Sequence, residues 1–470
     1  MPLFKTNPEA YKPRLVSIGP FHRYANHLKP MEAHKLLYLK DFLDRSESEP
    51  TICLEEYVGA MTKLENKARQ CYSENIQLKT KDEFAKMMLI DGCFILELIL
   101  KTNYPDEHRR PDDPIMKATW MSTVIKCDLI LLENQLPLDV LRHLYQLFTQ
   151  NSKSKYGVLD TLISNFFQDL VAHPQINHIS ENQFRHFPIV QKFFLPANKV
   201  EEEAEEPSIP KKTEASTSVL EEADDVEAKL EKYSQAKHLL HFVRELLLPS
   251  PPKKTEASTQ RSWAWLDGVM RWVWRVQPRD PKRNPDEDTF VCIHCATELG
   301  EANVNFKKED PEKTHLLNMT FKNKELKIPT IKIQDGTESL LRNLIAFEQY
   351  CDHEDRPITS YASFMDDLIN STKDVALLEE NGIIENLLGE PKDVTKLFNA
   401  LLKEVTIGKD DFSSVRRALV DHYKNPWHKS IASLKHNYFN TPWAFIACFA
   451  ALLLFLLTVV QTICSILSLK

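Results

Sequence analysis

Glycine is scarce in this chain of 470 residues, and its spacing excludes several classes of enzyme. There are ten glycines, and the closest two, Gly382 and Gly389, are seven residues apart. The dinucleotide-binding fingerprint, the phosphate-binding P-loop and the nucleophile elbow of serine hydrolases all need more closely spaced glycines. None of these three motifs is therefore present in the sequence.

Metal-binding patterns and strong positive charge are also missing. The sequence has no His-Glu-x-x-His motif and no EF-hand loop, and its one metal-like spacing is Cys292 and Cys295 in "CIHC". A structural zinc site needs a second ligand pair at suitable spacing, so we predict core thiols here, with no metal and no cofactor. The net charge of −8 provides no basic field, so no nucleic-acid partner is expected.

The first part of the chain has the periodicity of helices. The stretch "KDEFAKMMLIDGCFILELIL" is apolar nearly all round, as a helix buried in a domain should be. The stretch "KCDLILLENQLPLDVLRHLYQLF" predicts two helices, the second starting at Pro137. Glu133, Asn134 and Gln135 lie at the junction. They either satisfy the exposed helix ends or form a ligand site, and the sequence favours the first.

Low-complexity segments divide the chain. The polar octapeptide "PKKTEAST" occurs at Pro210–Thr217 and again at Pro252–Thr259, which indicates a duplicated linker. We predict a helical N-terminal part over 1–196, an acidic linker over 197–236, a core helix over 237–248, a second linker over 249–288, a C-terminal part with a small sheet and helices over 289–436, and a membrane anchor over 443–469.

Short alternating stretches follow the second linker. "ANVNF", "LLNMTF" and "LKIPTIKI" fit three strands, with a turn at "KNKE" joining the last two. Further helices are expected at about 359–370, 375–388 and 392–405. The predicted fold class is mostly α with one small antiparallel β-sheet and a single C-terminal transmembrane helix.

The chain ends in its most apolar stretch, which has no charged side chain between Thr441 and Leu469. As a helix, residues 443–469 would be about 40 Å long, against a hydrocarbon core of roughly 30 Å. The alternative, a buried core helix, is usually shorter and carries polar positions. We therefore predict a membrane anchor, and expect the lipid bilayer as a partner. The anchor residues are Trp443, Phe445, Leu452, Leu456, Val460 and Leu469.

The segment "SWAWLDGVMRWVWRV" contains four of the seven tryptophans. At 100° per residue its apolar side chains fill one arc, and its arginines lie on the other. This pattern suits an amphipathic helix in a membrane interface, but packing on its own domain explains it equally well. The residues of this candidate interfacial helix are Trp263, Trp265, Arg271, Trp272, Trp274 and Arg275.

Several ordered blocks resemble one plant family. They include "LVSIGPFHRYANHLKPMEAHKLLYLKDFL", "DLILLENQLPLDVL", "LKIPTIKIQDGTESLLRNLIAFEQ" and "LKHNYFNTPWAFIACFAALLLFLLTVVQTICSIL". The chain is similar along nearly its whole length to the family called domain of unknown function 247, or uncharacterised protein family 0481. The resemblance implies a land-plant protein with one C-terminal membrane helix. Most members have no known activity, and some lie at grass self-incompatibility loci, which implies recognition or signalling.

This sequence departs from the family pattern in two places. Relatives usually have an arginine-containing extended segment before the position of Asn7. The family's usual polar residues before "ATEL" are replaced by Cys292–Cys295. The first departure leaves the N-terminal boundary open.

Two classes of function remain open at this point. The first is a membrane-anchored recognition or signalling protein that is not an enzyme and binds an unknown protein partner. The second is a membrane-tethered enzyme with an unrecognised active site. Its acid–base groups or ligands could come from His22, His27, His34, His108, Asp112 and Asp113. Such residues beside proline are more often caps and turns, so we expect no catalytic residues.

The charges that flank the anchor predict its orientation. Lys424, Lys429 and Lys435 precede the apolar stretch, and only Lys470 follows it. The positive-inside rule therefore predicts a single-pass protein, in the plasma membrane or the endoplasmic reticulum, with a cytosolic domain. The N-terminal residues contain no apolar signal-peptide core, which agrees with this orientation.

Overall fold

The computed structural model describes residues 2–46, 53–72, 76, 78, 80–150, 156–171, 233–249, 291–309, 315–350, 355–424, 449–451 and 453–462. The described residues are mostly helical, so this part of the predicted fold class is confirmed. The candidate interfacial helix lies outside them, as do most residues of the two linkers. The domain boundaries derived from the linkers stay predictions.

The first half of the fold consists of helices. They are α1 (Pro2–Thr6), α2 (Lys29–Ser46), α3 (Leu54–Arg69), α4 (Lys81–Asn103), α5 (Pro105–His108), α6 (Pro114–Lys117), α7 (Thr119–Asp128), α8 (Leu138–Thr149) and α9 (Leu159–Val171), with 3-10 turns at Pro8–Tyr11 and Asn26–Leu28. Helix α10 (Leu239–Leu247) follows and buries Leu240, Phe242 and Val243 in the same core.

Helix α4 is the centre of this half. A capping box fixes its start: Thr80 Oγ1 accepts the N–H of Glu83 at 3.2 Å, and the Glu83 carboxylate accepts the N–H of Thr80 at 3.4 Å. Every residue from Met87 to Lys101 is buried, because α2, α3, α8 and α9 pack around this helix. The prediction of a buried helix, made because this stretch is apolar nearly all round, is confirmed.

The polar junction between α7 and α8 has the predicted structural role. Pro137 stands at the N-cap of α8. The side-chain amides of Asn134 and Gln135 each donate two hydrogen bonds to backbone carbonyls at 2.7–3.0 Å. These carbonyls belong to Val16, Asp128, Leu129 and Leu131. Three of these four carbonyls lie at the end of α7 or just after it, where the ending helix leaves them open.

The second half mixes helices with short strands. Its elements are α11 (Ala296–Glu301), β1 (Asn305–Glu309), β2 (Thr320–Lys322), β3 (Glu325–Pro329), β4 (Ile331–Ile333), α12 (Thr337–Tyr350), α13 (Pro357–Leu368), α14 (Thr372–Glu380), β5 (Ile384–Asn386), α15 (Pro391–Leu401) and α16 (Ser413–Lys424). Helices α10 and α12 are in contact, so the two halves share a core.

The prediction of one antiparallel sheet is wrong. The strands form a three-stranded sheet of order β1-β3-β2 and a separate pair, β4-β5. Strand β2 is antiparallel to β3, but β1 runs parallel to β3, and β4 runs parallel to β5. The β2–β3 turn is correctly predicted at "KNKE". Asn323 and Lys324 both have positive φ there, as a two-residue type I′ hairpin requires.

The C-terminal transmembrane helix of the predicted fold class is also not supported. In the described residues no helix is long and apolar enough to cross a membrane. Leu456 and Val460 are exposed. The other predicted anchor residues, Trp443, Phe445, Leu452 and Leu469, lie outside the described side chains.

This correction extends to the localisation. The single-pass topology and the cytosolic placement of the large domain both depended on the anchor. Because the anchor is not supported, neither assignment has a basis in the structure.

Candidate functional site

A polar cleft opens in the second half, where the start of α11 meets the C-terminal ends of α13 and α15. Its volume is 430 Å³, within the range of roughly 300–1,000 Å³ typical of ligand sites. The cleft is lined by Ile293, His294, Cys295, Glu298, Asp366, Asp367, Asn370 and Asn399. Side chains from three separate stretches of the sequence therefore meet in one opening.

Two adjacent carboxylates dominate the electrostatics of the cleft. Asp366 and Asp367 lie in the last turn of α13, where the helix dipole disfavours negative charge. Asp367 pairs with Arg416, whose fully buried side chain also lies 3.0 Å from Asp410. No described cation forms such a pair with Asp366. Burial, followed by the charge of Asp367, raises the pKa of Asp366 to about 6.

His294 and Cys295 line the cleft at the start of α11. The His294 ring stacks on Tyr423 with centroids 3.5 Å apart, and its Nδ1 lies 2.9 Å from a Glu298 carboxylate oxygen. The Cys295 sulfur lies 3.3 Å from the Thr297 hydroxyl. The hydrogen bonds of the histidine and the cysteine thus run to different partners.

The "CIHC" cysteines are not the core thiols that the sequence predicts. Cys292 is exposed and Cys295 is partly exposed, and both are free. An apolar run indicates burial only if its neighbours cover it, and here the run borders the cleft. Burial nevertheless raises the pKa of the Cys295 thiol, so the reactive thiolate is disfavoured at neutral pH. Across the described part of the chain, no three His, Cys, Asp or Glu side chains are arranged to hold a metal ion.

The residues considered for an enzyme do not line the cleft. Asp113 caps α6 by accepting the N–H groups of Ile115 and Met116 at 3.0 and 3.2 Å, which is the predicted structural role. Asp112 is exposed. His108 is buried against Arg45. His27 Nε2 lies 3.1 Å from the carbonyl of Pro13, and burial lowers the pKa of His22.

Sequence reasoning missed most residues of the cleft. Asp366, Asp367, Asn370 and Asn399 were not singled out. The available signal was the pair of adjacent carboxylates in the otherwise apolar run "YASFMDDLI", since a helix rarely places two acids in its last turn. The candidate interfacial residues Trp263, Trp265, Arg271, Trp272, Trp274 and Arg275 lie outside the described residues.

The charge of Asp366 should make the protein less stable at neutral pH. Its folded pKa of about 6 exceeds the unfolded value, so its contribution to stability is full at low pH and is lost as pH rises through 6. With allowance for partial exposure, Asp366→Asn should raise the free energy of unfolding by about 1 kcal/mol near pH 7.5. The gain should shrink toward zero near pH 4, as measured by urea unfolding.

The neighbouring carboxylate provides the control for this prediction. Asp367→Asn removes one of the two anionic partners of the buried Arg416, so it should lower stability near pH 7.5. A loss of stability in Asp366→Asn would show that the charge of Asp366 is compensated in the folded protein. A gain that is equally large near pH 4 would show that the gain does not come from this charge.

Comparisons with known proteins agree over most of the chain. The family model described as "DUF247: Plant protein of unknown function" matches residues 1–457. The Arabidopsis thaliana protein titled "UPF0481 protein At3g47200" is 30% identical over 474 residues, which cover 98% of this chain and 84% of that protein. "Putative UPF0481 protein At3g02645" of the same plant is 23% identical, with 98% and 88% covered. No solved structure matches the chain. The family resemblance of the sequence blocks is confirmed.

Proposed function

Since the chain belongs to the plant DUF247 family, whose description gives no activity, we propose a function from the geometry: recognition of a protein partner at the polar cleft, without catalysis. One observation carries the proposal. The side chains of Asp366, Asn370 and Asn399 line the same cavity, and none of them makes a hydrogen bond or ion pair with another described residue. Their capacity to bind polar groups is therefore available to a partner.

The arrangement of the other cleft residues argues against catalysis. An activated nucleophile needs a base within hydrogen-bond reach. The Cys295 thiol instead contacts Thr297, and His294 is held by Glu298 and Tyr423. A raised thiol pKa works against nucleophilic attack as well. Binding of a partner requires neither an activated nucleophile nor a nucleophilic attack.

Filling the cleft tests the proposal. Asn399 is exposed on α15, so Asn399→Trp should narrow the cleft without disturbing the core. Lys396→Trp adds the same side chain on the same helix, outside the cleft lining, and is the matched control. Proximity labelling in plant tissue would compare the neighbours of the full chain and of both variants, and circular dichroism would verify folding.

Each protein that is labelled by the wild type and by Lys396→Trp, but not by Asn399→Trp, would then be purified and tested for direct binding to the full chain. We expect at least one direct binder that binds wild type and Lys396→Trp but not Asn399→Trp. Identical neighbour sets for both variants, or no direct binder, would overturn recognition at the cleft. A direct binder that the full chain converts chemically would overturn the non-catalytic part and favour the enzyme alternative.

A further inference from the structure

We propose that the polar cleft receives a cationic group, a primary ammonium or a guanidinium, such as the end of a Lys or Arg side chain on the partner. This inference rests on the proposed function and adds the chemistry of the group that is recognised. It follows from the charge balance of the cleft, from the unused hydrogen-bond acceptors in its wall and from its size.

The charge balance leaves one carboxylate without a cation. The charged or titratable groups around Asp366 come from three elements: Asp367 on α13, His294, Cys295 and Glu298 at α11, and Arg416 with Asp410 at α16. Arg416 is committed to Asp367 and Asp410, and the Nδ1 of His294 is held by Glu298. Helix α15 contributes only the neutral Asn399 to the lining. The cleft therefore has an excess of negative charge.

The neutral groups of the cleft suit the same ligand. An ammonium or guanidinium carries several N–H donors and no acceptor, so it needs several oxygen atoms around it. Asp366 supplies a carboxylate, and the side-chain amides of Asn370 and Asn399 supply carbonyl oxygens that no described residue uses. Charge-assisted hydrogen bonds of this type are about twice as strong as neutral ones. An anion would meet the same carboxylates and be repelled.

The volume of the cleft suits a side chain rather than a bare ion. At 430 Å³ the cavity accepts the end of a long side chain together with its aliphatic stem. The described residues offer no three-ligand metal arrangement to compete with it. Because a bound cation stabilises the ionised carboxylate, binding should release the proton of Asp366 and should weaken as pH falls through about 6.

The test uses the full chain and three short peptides that differ in one side chain. They are acetyl-Gly-Lys-Gly-amide, acetyl-Gly-Arg-Gly-amide and the uncharged acetyl-Gly-norleucine-Gly-amide, titrated by ligand-observed NMR at low ionic strength, where screening is least. We expect saturable binding of the Lys or Arg peptide, at least about tenfold tighter than the norleucine peptide near pH 7.5. Binding should weaken several-fold near pH 5.

Two acid-to-amide variants locate the effect. Asp366→Asn should fold at least as well as the wild type. It should bind the charged peptides about tenfold more weakly. Asp393→Asn removes an exposed acid from α15 outside the cleft and controls for net charge; it should bind as the wild type does. No preference for the charged peptides, or equal losses in both variants, would overturn cation binding. If Asn399→Trp still loses a direct partner while the charged peptides fail to bind, recognition stands and only this inference falls.

Discussion

Replacing Lys101 with methionine should destabilise the folded chain by about 3–5 kcal/mol. The ammonium of Lys101 is fully buried and lies 2.6 Å from Asp113, 2.8 Å from Asp41 and 3.6 Å from Glu97. It also lies 3.8 Å above the ring of Tyr38. Methionine fills much of the same volume but leaves these carboxylates without their shared cation. The measurement is the free energy of unfolding of the full chain in urea.

An exposed ion pair of similar geometry is the control. Lys67 lies 2.6 Å from Asp139 at the surface, where solvent screens the pair, so Lys67→Met should lower the free energy of unfolding much less than Lys101→Met does. Adding Asp113→Asn to Lys101→Met should restore part of the loss, because Asp41 and Glu97 keep ion pairs with Arg110 and Arg45, whereas Asp113 has no other ion pair among the described residues. Equal effects of Lys101→Met and Lys67→Met would show that the buried network contributes no more than a surface pair.

The buried ion pairs of Lys101 also mark the limit of prediction from the sequence. Hydrophobic periodicity identified α4 as a buried helix, because its apolar side chains surround the axis. It did not reveal that Glu97 and Lys101 are buried within the same helix. A buried charge depends on its partners, and Asp41 is 60 residues away in the sequence. Local patterns contain no information on such distant neighbours.

The errors in the sheets have a similar cause. The β2–β3 hairpin was visible because its turn is local, with two residues of positive φ between the strands. The parallel pairs β1–β3 and β4–β5 join strands separated along the chain, and alternation does not encode strand direction. The residues of strand β5 were wrongly assigned to a helix predicted over 375–388. That helix ends at Glu380, and Gly382 with φ of 70° allows the chain to turn.

The cleft could be predicted only in part. The sequence drew attention to Cys292 and Cys295 because of their spacing, and Cys295 does line the cleft. The prediction that both cysteines are buried in the core was wrong, because it relied on the apolar neighbours Val291 and Ile293. The carboxylates of α13 come from a segment about 70 residues further along. Their meeting with α11 depends on Arg416 and on the packing of α16, which no local pattern specifies.

Glu348 is the second position where one substitution should have a large effect. Its carboxylate is buried and accepts the N–H of Ile358 at 3.1 Å and both the N–H and the hydroxyl of Thr359 at 2.8 Å. Its Oε1 also accepts Arg244 Nε at 3.1 Å. One side chain on α12 therefore satisfies the start of α13 and holds α10.

Glu348→Leu should lower the free energy of unfolding by about 3–5 kcal/mol, because it leaves the buried donors of Ile358 and Thr359 unpaired and removes one of the two carboxylates that pair with Arg244. Glu348→Gln, which keeps one oxygen acceptor, should lower the free energy of unfolding less than Glu348→Leu does. Amide hydrogen exchange of Leu239–Leu247 provides the more specific measurement, since α10 lies on the other side of the Arg244 contact. We expect faster exchange there in Glu348→Leu and in Arg244→Met. The double variant should lose less free energy of unfolding than the sum of the losses in the two single variants. Additive losses, or unchanged exchange in α10, would show that this pair does not hold α10 against α12.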